Sequence, residues 1–312
     1  MLEKAAELKR LQTGVPLLDS FLQGGIPSNS ITELVGAPGI GKTQLCHMLV
    51  ANALRFSGDR ESSTVLYLDS ENAFSAQRIR ELMTYENEIC PSNPPFPDVA
   101  AAIERVKVRN VKSSSSFSEL LDTLDAAIIE SNVKLVILDS VAALVRHEFD
   151  SASVFKRQNL LTLWASRLKA IAEDFNIPVI VTNQVTSYGP NDGDPMSIKT
   201  PIAALGTGWY HSVNTRLTLQ MCRPGDFGIS PNSTLAYLRN SAPVGCPISS
   251  EWLLRCMAIS KSPISPVVSF PYFIVRSGLC LLRTLSIGNG DSTDEKETFV
   301  YEMEPANYWF NA

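Results

Sequence analysis

The sequence predicts an α/β protein whose mainly parallel sheet is flanked by helices. Three observations carry this. Short, largely apolar runs recur (SITELV at 30–35, TVLYL at 64–68, KLVILD at 134–139, PVIVT at 178–182), as in strands covered on both faces. Longer stretches with helical periodicity alternate with them. A glycine-rich octet, GAPGIGKT at 36–43, joins the first of these strands to a helix.

The elements follow in order. Residues 3–11 predict a short exposed helix that ends near Gly14. PLLDSFLQGGIP predicts a small amphipathic helix stopped by Gly24 and Gly25. Helices are expected over Gln44 to Arg55 and Ala76 to Tyr85, and a further strand over Arg105 to Val108. CPSNPPFP at 90–97 is expected to be a loop, because its prolines suit neither a helix interior nor an inner strand. The run Ser113 to Ser116 caps a helix reaching Glu130, with Ser116 and Glu119 as the expected capping box. Phe155 to Phe175 predicts a long helix. After Gln220 the periodicity fades. Residues 223–256 read as an irregular insertion carrying Pro224, Pro231, Pro243 and Pro247, and 289–312 as an acidic, mobile tail. One domain over 14–288 is expected, preceded by a linker over 1–13.

Composition narrows the function. The 312 residues are 45% apolar and 19% charged, the balance of a globular protein with an ample core. A formal net charge of −5 argues against strong autonomous binding to nucleic acid. The six cysteines form no C-x-x-C pair, which suits reduced thiols in cytosol or nucleus, and the three histidines lie too far apart for a zinc site. MLEKAAELKR has no signal-peptide pattern, and no segment has the roughly 20 apolar residues of a membrane span.

GAPGIGKT satisfies G-x-x-x-x-G-K-[ST] through Gly36, Gly41, Lys42 and Thr43. In such a loop, Gly36, Ala37, Pro38, Gly39, Ile40 and Gly41 turn backbone N–H groups toward phosphates, and the following helix adds its positive N-terminus. Lys42 would reach the terminal phosphates and the Thr43 hydroxyl would ligate Mg²⁺. Asp139, at the end of a buried strand, is the expected second residue on the metal side, acting through water. Glu71, just past TVLYL, is the candidate base or water-orienting group, and Gln184 the candidate γ-phosphate sensor. Two segments are candidates to face DNA. Arg146, Lys156 and Arg157 in the first offer phosphate contacts; the second offers Tyr188 as a stacking face and Lys199 as a cation. Glu148, Asp150, Asp192 and Asp194 dilute both.

GGIPSNSITELVGAPGIGKTQLC, VLYLDSENAFSAQRI, KLVILDS and IPVIVTNQV, taken together, resemble the RecA-like recombinase family, eukaryotic branch. VRHEFDS, IAALGTGWYHSVNTRLTLQ and ISKSPISP are most similar to its B-type paralogues. The resemblance spans roughly residues 11–222 and 257–285. It implies a RecA-like P-loop ATPase core using ATP and Mg²⁺, with Gln44 in the nucleotide site, Asp139 as the Walker B carboxylate and Glu71 as the catalytic glutamate. Arg78 is implied to stack on adenine, and Lys261 and Pro263 to belong to a cap over the nucleotide of an adjacent subunit. It further implies a nuclear subunit of a hetero-oligomer with other recombinase paralogues, a C-type one first. That assembly would act with the recombinase filament on single-stranded or branched DNA.

The chain departs from the family in its N-terminal helical domain and its phenylalanine-x-x-alanine tether, neither of which is found before the core. Arginine-rich DNA loops are missing as well. The expectation is therefore a mediator that helps load a recombinase onto single-stranded DNA during homologous recombination and double-strand-break repair. The alternatives are an autonomous strand-exchange recombinase and an interaction subunit whose ATP is purely structural.

Overall fold

A computed structural model describes residues 10–56, 63–89, 98–146, 154–188, 201–222, 254–287 and 298–303. In chain order its first elements are β1 (Arg10–Leu11), α1 (Pro16–Phe21), β2 (Ile26–Pro27), β3 (Ile31–Gly36), α2 (Lys42–Phe56), β4 (Thr64–Asp69) and α3 (Ala76–Ile89). There follow α4 (Val99–Glu104), β5 (Val106–Asn110), α5 (Ser114–Glu130), β6 (Val133–Asp139), α6 (Val141–Arg146), α7 (Val154–Phe175) and β7 (Val179–Asn183). The remainder comprises β8 (Val185–Tyr188), β9 (Pro201–Ala203), α8 (Gly206–Ser212), β10 (Thr215–Cys222), β11 (Leu254–Lys261), β12 (Val268–Val275), β13 (Gly278–Ile287) and β14 (Thr298–Met303).

The main sheet has ten strands in the order β14-β13-β12-β11-β10-β3-β7-β6-β4-β5. From β10 to β5 every pairing is parallel, as the apolar runs predict. Beyond β10 every pairing is antiparallel. Strands β3 and β4 are buried along their whole length, so both faces must be covered. One face packs against α1 to α4 through residues such as Leu18, Leu45, Leu49, Ile79 and Ala102. The other packs against α5 to α8 through Phe117, Leu124, Leu144, Leu168 and Trp209. The antiparallel strands extend the first layer: Met257, Phe270, Tyr272 and Leu281 join the α2 core. On the second face, the rings of Phe117 and Trp164 meet edge to face at 4.8 Å, and Trp164 Nε1 donates to Ser118 Oγ.

Four expectations change. The helix expected over 3–11 gives way at its end to β1, which pairs Leu11 with Ile26; residues 1–9 lie outside the described residues. Gly25 permits that pairing, with φ +122° and a Cβ, if present, only 2.3 Å from the Leu11 carbonyl oxygen. The capping box on α5 is Ser113 with Ser116, not Ser116 with Glu119, because Ser113 is the residue outside the helix. The insertion ends earlier than expected, since 254–256 already belong to β11. Within the tail, 298–303 forms β14, paired with β13 along its whole length. The proline-rich loop at 90–97 and residues 223–253 lie outside the described residues.

Candidate nucleotide site

Parallel strands all end on the same edge of a sheet, and here that edge gathers the candidate residues. Register pairs Asp69 with Asp139, Leu138 with Val181, and Val35 with Asn183. The loop after β3, the carboxylate closing β6, the residue after β7 and the loop after β4 therefore meet, although they are far apart in sequence.

The glycine loop runs from Gly36, the last residue of β3, to Lys42, the first of α2. Gly41 holds φ +121°, and an added Cβ would lie 2.8 Å from Ile274 Cδ1, so no larger residue fits without displacement. Gly39 holds φ +73° with nothing near the added Cβ, so its backbone faces open space. Lys42 is only 8% exposed, and its Nζ donates to the carbonyls of Gly36 at 2.8 Å and Ala37 at 3.0 Å. Burial lowers its pKa below the usual lysine value, with Asp139 and Glu71 opposing the shift.

Thr43 Oγ1 donates to Asp139 Oδ2 at 2.7 Å. The Tyr67 hydroxyl donates to the same oxygen at 2.9 Å, and Thr182 Oγ1 to Oδ1 at 2.5 Å. Three hydroxyls thus satisfy a carboxylate that is 3% exposed. Burial, reinforced by Asp139, pushes the Tyr67 phenol well above its ordinary pKa, so it stays a donor. Among the described residues no three His, Cys, Asp or Glu side chains cluster as a metal cage. That donor set suits Mg²⁺, which keeps several waters and takes few protein ligands beside substrate phosphates.

Glu71 is exposed, on the loop after β4. Its Oε1 accepts from Ser140 Oγ and from Gln184 Nε2, each at 2.6 Å. The loop is shaped by Asp69, whose carboxylate accepts the backbone N–H groups of Glu71, Ala73 and Phe74. His47 of α2 fastens its far end, accepting the Ser75 N–H at Nε2. Arg78 spans α3, α2 and the β12–β13 turn. Its Nε donates to Gln44 Oε1 at 2.8 Å, and its Nη atoms donate to the Val275 and Arg276 carbonyls.

The chain is similar to DNA repair and recombination proteins of one family. A model of the Rad51 family matches residues 4–227. The chain belongs to the Rad51 family. Its Rad51-family relatives include DNA repair protein RAD51 homolog 2 of Homo sapiens, 35% identical over 303 residues, covering 88% of this chain and 69% of that one. The DNA repair protein XRCC3 homolog of Arabidopsis thaliana is 29% identical over 310 residues, covering 91% and 96%. The DNA repair and recombination protein RadA of Methanoculleus marisnigri is 31% identical over 233 residues, covering 72% and 69%. Family members bind ATP and hydrolyse it, and the RecA-like α/β core described above is the fold of this family.

Of the expected DNA-facing residues of this Rad51-family chain, the side chains of Arg146, Lys156 and Arg157 lie among the described residues. Arg146 and Lys156 are exposed at the end of α6 and the start of α7. Arg157 turns inward instead of facing outward: its Nη2 donates to the Ala204 carbonyl at 2.6 Å, fastening the chain just before α8. Tyr188 closes β8, which pairs with β9; its side chain, Lys199 and the stretches 147–153 and 189–200 lie outside the described residues. Lys261 pairs with Arg216 at the end of the sheet opposite the glycine loop. Its Nζ donates to the carbonyls of Tyr210 and Val213 at 2.6 Å each, and burial lowers its pKa. Pro263 is exposed.

Residues not singled out from the sequence complete the site: Tyr67, Asp69, Ser140 and Thr182 around the carboxylates, and Glu33 beneath the loop. Each is a polar residue in or beside a strand that is otherwise apolar. That was the available signal, since such a residue needs a buried partner.

Proposed function

We propose that this chain binds Mg²⁺–ATP at Gly36 to Gln44, hydrolyses it weakly on its own, and acts as a recombination mediator. In this reading it is one subunit of a recombinase-paralogue assembly that promotes loading of a recombinase on single-stranded DNA. The observation that carries the reading is the pairing of Thr43 with Asp139 and of Gln184 with Glu71 on one sheet edge beside the glycine loop. Similarity to RAD51 homolog 2 and the XRCC3 homolog supports a role in DNA repair and supports the reading as a paralogue subunit over that as an autonomous recombinase.

The residues divide the work. Lys42, now bonded to loop carbonyls, would exchange them for phosphate oxygens, a charge-assisted contact. Thr43 would ligate Mg²⁺ directly and Asp139 through water; the ion neutralises phosphate charge when bound. Glu71 would orient or deprotonate the attacking water through Oε2, because Oε1 already accepts two hydrogen bonds. Gln184 would exchange Glu71 for the γ-phosphate, which makes it a sensor. Arg78 would lay its planar cation on the adenine ring. Lys261 and Pro263, at the far end of the sheet, would face a neighbouring subunit's nucleotide.

The inward turn of Arg157 and the chain's net charge of −5 favour a partnered subunit over a chain that grips DNA alone. Nuclear placement follows from that role. The test is to purify the protein alone and with each candidate paralogue, then follow co-migration with and without ATP. We expect a stable complex with a paralogue, a C-type one first, and little strand exchange by the chain alone. A homo-filament that exchanges strands unaided would overturn the proposal.

A further inference from the structure

Glu33 is a charged residue in the middle of ITELVG, the strand that delivers the glycine loop, and it is 0% exposed. A carboxylate there is costly unless its oxygens are fully engaged, and an apolar residue would serve the sheet alone equally well. Its oxygens are engaged from three elements. Oε1 accepts from Asn183 Nδ2 of β7 at 2.7 Å and from Trp209 Nε1 of α8 at 2.9 Å. Oε2 accepts from Arg216 Nε of β10 at 2.6 Å.

These partners have consequences for the site. Asn183 directly precedes Gln184, whose side chain holds Glu71. The Gln184 carbonyl accepts the Ala204 N–H at 2.8 Å, so the chain entering α8 is fastened to the sensor position itself. Arg157 and Gln158 of α7 hold the same entry through the Ala204 and Leu205 carbonyls. One buried carboxylate therefore ties together the strand below the phosphate loop, the strand that presents Gln184, and α8. Arg216 also lies 4.4 Å from the Tyr210 ring centroid, so the carboxylate's counter-ion bears on α8 as well.

We infer that Glu33 is a positioning residue that couples nucleotide occupancy to α8 by holding Asn183, Gln184 and Trp209 in one register. It touches no nucleotide. A shift of Gln184 from Glu71 toward a phosphate moves Asn183, and the shared oxygen passes that movement to the Trp209 indole. The inference rests on the nucleotide reading above.

Tryptophan emission tests it, because Trp209 is itself a partner in the network. The full chain is titrated with ATP, a Trp209→Phe variant is subtracted, and occupancy is measured separately by equilibrium binding of labelled ATP. We expect Trp209 emission to shift in step with occupancy, and Glu33→Gln to abolish the shift. In Glu33→Gln, kcat for hydrolysis should fall roughly tenfold while KM for ATP stays within about twofold, because positioning and not binding is impaired. ATP binding with an unresponsive Trp209 in the unsubstituted protein overturns the coupling, whether or not Glu33→Gln folds. A Glu33→Gln protein that is less heat-stable but unchanged in kcat and in its emission shift overturns it too. Failure to bind ATP at all overturns the nucleotide reading, and this inference with it.

Discussion

Gln184 Nε2 donates to Glu71 Oε1 at 2.6 Å, joining the ends of two strands 113 residues apart. The amide holds the carboxylate that would face the attacking water, and Ser140 shares the same oxygen. Glu71→Gln should therefore leave ATP affinity within a few-fold while lowering hydrolysis by at least 100-fold, a typical loss for a missing general base. Gln184→Ala should retain Ser140 as a support and lose roughly tenfold in kcat. Single-turnover hydrolysis beside equilibrium nucleotide binding checks both. Equal losses of affinity and rate would count against these roles.

Thr43 and Asp139 share a 2.7 Å hydrogen bond, with Tyr67 and Thr182 completing the carboxylate's partners. Thr43→Ser should keep activity, whereas Thr43→Val and Asp139→Asn should each abolish Mg²⁺-dependent hydrolysis. If the two act on one ion, as proposed, the double variant should be little worse than either single one. Chelating Mg²⁺ should stop turnover of the unsubstituted protein. Asp139→Ala should also destabilise the fold by about 2 kcal/mol, through hydroxyls left without their acceptor; thermal denaturation measures this.

Arg78 reaches Gln44, Val275 and Arg276 with separate nitrogens, a fork that lysine cannot reproduce. Arg78→Lys should weaken ATP binding by roughly five- to tenfold, the scale of a cation–π contact. Binding of inorganic tripolyphosphate should be unchanged. Competition titrations with the two ligands separate the outcomes: parallel losses would show that Arg78 serves the phosphate loop and not the base.

His47 is 1% exposed and accepts the Ser75 N–H at Nε2, which requires the neutral ring. Burial lowers its pKa from 6.5 to about 4. Between these values the unfolded chain binds a proton that the folded protein excludes, so stability falls as pH drops from about 6.5 toward 4. A shift of this size corresponds to about 3 kcal/mol across the window. Thermal denaturation from pH 7.5 to pH 5 should show the decline, and His47→Gln should flatten it. An unchanged slope in the variant would assign the decline to other groups.

Local patterns made much of this molecule legible. TVLYL, KLVILD and PVIVT mark strands because only strands covered on both faces stay apolar throughout, and β4, β6 and β7 lie where they indicate. GAPGIGKT specifies its own turn, since Gly39 and Gly41 adopt positive φ. The α5 cap lies three residues before the expected Ser116, because four consecutive serines each offer the same hydroxyl and only the position outside the helix selects Ser113. Strand β14, TFVYEM, carries the β-branched and aromatic residues of a strand, but it directly follows the acidic run DSTDEKE, and only its pairing with β13 separates it from the tail.

By itself the sequence determined the α/β class, the glycine loop between a strand and a helix, the candidate carboxylates Glu71 and Asp139, and membership in the Rad51 family. The glycine loop and the carboxylates are local, each written in a few consecutive residues, whereas the α/β class and the family are written in the order of several such segments along the chain. The tertiary structure alone decided that β3 lies between β10 and β7, and that β6 lies beside β7. That order places Gln184 against Glu71, Thr182 against Asp139 and Asn183 against Glu33. Strand order reflects how helices of given length and apolar face pack on both sides of a sheet, a property of the whole chain. For the same reason the inward turn of Arg157 and the buried role of Glu33 emerged only once α7, α8 and β10 were in place.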